Sequence, residues 1–208
     1  IPLEFELLQA SPGGGLGAGG GLTPGNRVST GDRTAPAIAV DDFIENPEAT
    51  ASTGIFRADL SNLQSSQSLT IADSGSGFGG APGERTGFDL VGLKLSNELI
   101  TDPTDIDSIS GIDLLDLSSV IFTPGTHRPS NDADYPVAPD LFGSLYGQVN
   151  NAIATLKEFD FDGDTGFLSL GNGGKVEMEL TETLIPNGPL YLYVGEAGGN
   201  GESLAGQI

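Results

Sequence analysis

The chain opens on an alternation: Ile1, Leu3, Phe5 and Leu7 are apolar, and Pro2, Glu4 and Glu6 lie between them. Successive side chains of a β-strand point to opposite faces, so this period of two predicts a half-buried strand over residues 1–9. Further apolar runs predict strands at 54–60 (GIFRADL), 67–72 (QSLTIA), 87–95 (GFDLVGLKL), 167–170 (FLSL), 175–180 (KVEMEL) and 190–194 (LYLYV). The clearest alternation is in KVEMEL, with Val176, Met178 and Leu180 expected inward and Lys175, Glu177 and Glu179 outward. Leu117 to Phe122 reads as a buried strand, and SLAGQI, ending at Ile208, reads as the start of another. Asn187-Gly188, a favoured turn pair, leads into the 190–194 strand.

One segment has a different period. Leu141, Leu145, Val149, Ile153 and Leu156 fall at helical spacing, with Asp140 placed to cap them. Gly143 and Gly147 weaken the first turns, so a short helix is predicted near 148–157.

From Gly13 to Gly21 seven of nine residues are glycine. Such a stretch is a flexible coil, because glycine lacks the Cβ that restricts φ and ψ. The chain therefore divides into a strand and linker over 1–34 and one antiparallel β-sandwich, of jelly-roll type, over 35–208. Thirty-two glycines and thirteen prolines suit an all-β domain with many turns and argue against a helical bundle.

An apolar strand on a glycine tether has two places to pair. It can return to its own sheet as an edge strand, or it can enter a neighbour's sheet as a donated strand. The second expectation makes Ile1, Leu3, Phe5 and Leu7 a subunit interface. Burying four such side chains contributes about 6–12 kcal/mol.

The formal net charge is −21, from 29 acids and 8 bases. That balance disfavours nucleic acid and anionic membranes as partners. It favours divalent cations, and calcium above others, since the available ligands are oxygens. The best candidate is EFDFDGDTG, where Glu158, Asp160, Asp162 and Asp164 alternate around Gly163. It lacks the EF-hand's spacing: from Asp160 the sixth residue is Thr165 and the twelfth Gly171, and from Glu158 the twelfth is Ser169. Asp102, Asp105 and Asp107, or Asp132 and Asp134, are weaker candidates, and a plain acidic turn is the competing reading throughout.

No catalytic constellation emerges. Gly15, Gly17 and Gly20 match G-x-G-x-x-G, but no helical pattern follows to hold a pyrophosphate. The only histidine, His127, sits beside Arg128 in a proline-rich loop and reads as structural. No enzyme is expected. There is no cysteine, no N-x-[ST] sequon and no apolar run long enough to span a bilayer. The chain starts on Ile1 rather than methionine, which reads as a processed end or the first ordered residue. Tyr191 and Tyr193 share one strand face and could form a platform for stacking a sugar.

DGDTGFLSLGNGGKVEMEL and NGPLYLYVGEAGGNGES resemble extracellular domains of bacterial PEP-CTERM-type surface proteins, on Phe167 to Leu180 and Asn187 to Glu196. Their sorting signal, a Pro-Glu-Pro followed by a membrane helix and a basic tail, does not occur in this sequence. The resemblance implies a secreted or surface-displayed β-sandwich and assigns no catalytic residue. The leading expectation is thus an extracellular filament, sheath or surface-layer subunit, a homopolymer joined by its first strand. The alternative is a secreted carbohydrate-binding or adhesive module, with a calcium-stabilised loop and cell-surface polysaccharide as partner.

Overall fold

The computed structural model describes residues 1–8, 27–29, 54–75, 81–156, 159, 166–197 and 204–208. Twelve strands occur among them: β1 (Glu4–Leu7), β2 (Arg27–Ser29), β3 (Gly54–Asp59), β4 (Ser66–Asp73), β5 (Asp89–Ser96), β6 (Ile121–Thr123), β7 (Ser144–Leu145), β8 (Gln148–Val149), β9 (Leu168–Ser169), β10 (Lys175–Leu184), β11 (Tyr191–Glu196) and β12 (Leu204–Gln207). They form a six-stranded sheet in the order β2-β1-β3-β11-β5-β9, a four-stranded sheet in the order β12-β4-β10-β6, and the β7–β8 hairpin. Every pairing of named strands is antiparallel. The protein is all-β, as its sequence leads one to expect.

The main core lies between the two sheets. Phe56, Ala58, Leu192 and Val194 of the larger sheet pack with Leu69, Ile71, Val176, Met178 and Leu204 of the smaller. The alternation in β10 is observed: Val176, Met178 and Leu180 are buried, and Glu179 is exposed. The larger sheet is also covered on its outer face. Ile55 and Tyr193 point that way and pack with Leu8, Ile100, Ile106, Ile109 and Phe159. The acidic stretch after β5 supplies three of these isoleucines, and Asp102 opens a 3-10 turn there (Pro103–Asp105) by accepting from Thr104 N at 3.0 Å.

No α-helix occurs among the described residues, so the helix predicted at 148–157 is corrected. Gln148 and Val149 are strand β8, paired with β7 across a turn at Tyr146 and Gly147. Those two residues have φ of 54° and 73°, and Leu156 has 58°. A right-handed helix cannot continue through left-handed residues, whereas a two-residue hairpin turn requires them. Asp140 accepts from Gly147 N at 3.1 Å and caps no helix. Only Asn150 to Ala154 closes a single turn, where the Ile153 and Ala154 amides donate to the Asn150 carbonyl. The stretch 117–122 also differs: Leu117–Ser119 is a 3-10 turn, and β6 is an edge strand with Phe122 buried and Ile121 64% exposed.

Residues 1–8 sit in the sandwich rather than outside it, so the division at residue 34 does not separate β1 from the domain. β2 lies within what reads as linker and pairs with β1, Phe5 opposite Val28.

Candidate functional site

β1 occupies the seam between the sheets. It lies in the larger sheet between β2 and β3, with Phe5 opposite Ala58, Glu6 opposite Arg57 and Leu7 opposite Phe56 on the β3 side. Before it, the chain reaches across to β12: Leu3 N donates to the Gly206 carbonyl at 3.1 Å, and Ile208 N to the Ile1 carbonyl at 2.9 Å. One short segment therefore bridges the two sheets, next to the β2 edge of the larger and against β12 at the edge of the smaller. Leu3, Phe5 and Leu7 are buried in the main core of their own chain. Ile1 is 58% exposed, and Leu8 is buried instead, on the other face of the sheet. The four-residue row expected at 1, 3, 5 and 7 is thus corrected to three residues. Their burial contributes about 5–9 kcal/mol.

The outer face of β1 carries charge. Glu6 forms an ion pair with Arg57 at 2.7 Å, and Arg57 also donates to the Ile100 carbonyl at 2.6 Å. Glu6 is about half exposed, so its pairing with Arg57 orients the strand more than it stabilises it.

Two buried acids organise one end of the sheets. Asp73, closing β4, accepts from the amides of Gly75 (2.7 Å), Gly173 (2.8 Å) and Phe88 (3.0 Å). Burial pushes its carboxyl above the ordinary value, and those three amides oppose the rise. Asp89 of β5 is buried beside Glu196 of β11, and Ser169 Oγ donates to it at 2.5 Å. Burial pushes the Asp89 carboxyl well up; the Ser169 hydrogen bond opposes this, and the Glu196 charge adds to it. Arg85 and Arg128 bring compensating positive charge. The Arg85 guanidinium lies over Phe142 at 4.8 Å, with Phe167 and Tyr135 beyond.

Tyr193 is fully buried. Its hydroxyl donates to the Glu98 carbonyl at 2.8 Å and accepts from Ile100 N at 3.0 Å. Tyr191 is half-buried, beside Arg57. The two rings therefore form no exposed platform, and this pair is corrected from a ligand site to packing. His127 is half-buried in its loop, and its Nε2 has no hydrogen-bond partner.

Glu158, Asp160, Asp162 and Asp164, like Gly15, Gly17 and Gly20, lie outside the described residues. Two residues within and just after this acidic stretch are anchored: Phe159 packs in the outer cluster, and Phe167 packs with Val91 and Ala197. Among the described residues, no group of three acids or histidines is arranged to hold a metal ion. Asp102 and Asp132 use their carboxylates locally, Asp132 accepting from Asp134 N at 2.9 Å. Also among the described residues, no helix is long and apolar enough to cross a membrane.

Compared with protein-family models, curated proteins and solved structures, the chain matches none.

Proposed function

We propose that the protein is a structural subunit of an extracellular filament, sheath or surface layer, and that its copies join by exchanging β1. One observation carries the reading: a single segment, buried through Leu3, Phe5 and Leu7, bridges both sheets of the sandwich, pairing with β2 and β3 in one and reaching β12 in the other. A strand donated from a neighbour would make the same bonds as the chain's own strand. The choice between them then rests on linker reach and subunit concentration. The glycine-rich sequence after β1 supports that reach. The partner in this reading is a second copy of the chain, and the location is the cell surface.

A cysteine pair tests the exchange. Glu6 and Arg57 are register partners, and the chain has no cysteine of its own. Opposite residues of an antiparallel pair lie about 4.5–5.5 Å apart, within reach of a disulfide. Glu6→Cys with Arg57→Cys is oxidised after assembly and run on a denaturing gel beside electron micrographs. Exchange gives a ladder of covalent oligomers. Filaments whose disulfides are all within one chain would overturn it.

A further inference from the structure

We infer that Asn187 is a site of spontaneous isoaspartate formation, and that the fold protects the same dipeptide at Asn172-Gly173. The reaction needs the amide nitrogen after an asparagine to reach that asparagine's side chain. Once its proton is lost to solvent base, the Gly188 nitrogen bonds to Cγ of Asn187. The bond from Cγ to the side-chain nitrogen breaks, and ammonia leaves with the transferred proton. The resulting five-membered imide takes up one water. It opens at either carbonyl to leave aspartate or isoaspartate.

The turn joining β10 to β11 leaves that approach open. Asn187, Gly188 and Pro189 are all exposed. Gly188 has φ of +124°, and nothing lies within 4 Å of where a Cβ would stand. No hydrogen bond of Asn187 or Gly188 restrains the approach among the described residues. The far side of the turn is held, since Asn97 Nδ2 donates to the Pro189 carbonyl at 2.6 Å. The reacting pair is thus free on an anchored loop.

Asn172-Gly173 has the same two residues in the opposite situation. Asn172 exchanges both backbone hydrogen bonds with Thr126, at 3.0 and 3.1 Å. The Gly173 amide donates to Asp73 Oδ1 at 2.8 Å. That nitrogen must break a bond to a carboxyl oxygen before it can attack. The third pair, Asn200-Gly201, lies outside the described residues. Conversion at 187 would insert one methylene into the backbone of the β10–β11 turn and add a carboxylate to a surface already at −21.

The full chain incubated at mildly alkaline pH, folded and in denaturant, tests this. Peptide mass mapping reads amide loss at each site, and isoaspartyl methylation reads the product. In the folded protein, Asn187 is expected to convert about tenfold or more faster than Asn172, the rate cost of first breaking one charge-assisted hydrogen bond. In denaturant the two rates should converge. Equal rates in the folded protein would overturn the inference. So would a preference for Asn187 that persists in denaturant, because neighbouring residues and not the fold would then set it.

Discussion

The ring of Phe5 lies against the bare backbone of Gly206, so close that a Cβ there would stand 2.7 Å from Cε2. The glycine has ordinary strand geometry, so space rather than φ excludes a side chain. Gly206→Ala is expected to cost about 1–3 kcal/mol by overpacking. Adding Phe5→Leu, which shortens the intruding side chain, should recover part of that loss. Denaturant unfolding of the two single variants and the double measures the coupling. Strictly additive losses would show that the ring and the glycine do not form one fitted contact.

Asp89 makes stability depend on pH. Its carboxyl is raised above the ordinary 3.8, chiefly by burial and further by Glu196, against Ser169, Arg85 and Arg128. The folded state therefore holds the proton more tightly than the unfolded chain. This group's contribution is fully present below 3.8 and is lost as pH rises through the higher folded value. Asp73 is shifted in the same direction. Asp89→Asn can still accept from Ser169 and carries no charge to bury. It should melt higher than the parent at neutral pH and show a flatter dependence between acid and neutral pH. A steeper dependence would contradict the assignment.

Local pattern carried much of this fold. β10 was legible because Val176, Met178 and Leu180 alternate with charged residues, and one such face can only turn inward. The alternation at Leu3, Phe5 and Leu7 was legible for the same reason. The spacing from Leu141 to Leu156 misled because burial there comes from separate turns: Leu141 and Leu156 are buried, while Leu145 on the hairpin is not. Tyr191 and Tyr193 gave no sign that the larger sheet is covered on both faces. That depends on Ile100, Ile106 and Ile109, some ninety residues away in the chain. The Asp89–Glu196 pair was invisible for the same reason. Its members are distant in sequence and meet only once β5 and β11 are paired.

Calcium, which we propose for the acidic loop, would be coupled to the fold there. Phe159, between Glu158 and Asp160, and Phe167, three residues after Asp164, are anchored in two clusters, so a cation on Glu158, Asp160, Asp162 and Asp164 would be linked to the folded state. A ligand that binds only the folded form stabilises it by mass action, about 2.7 kcal/mol at a hundred times its Kd. Excess chelator is expected to lower Tm, and Asp162→Ala should abolish the difference. A melting curve that chelator leaves unchanged would remove calcium from this loop.

Deleting residues 1–8 should take away both β1 and the chain that closes β12. The seat left behind is bordered by Phe56 and Ala58, the register partners of Leu7 and Phe5, with Gly206 where the Phe5 ring lay. The truncated chain loses the burial of Leu3, Phe5 and Leu7, about 5–9 kcal/mol, a large share of the stability of a domain this size. It should therefore melt far lower, or not fold alone. A synthetic IPLEFELLQ peptide supplied in trans should restore the transition and become protected from proteolysis. The same peptide with Phe5→Asp should not, because it would carry an unpaired charge into an apolar seat. Rescue by the first peptide and not the second establishes that the seat accepts a strand from another molecule, which assembly by exchange requires. A truncated chain that keeps the parent's Tm and assembles at the parent's concentration would show that β1 connects nothing.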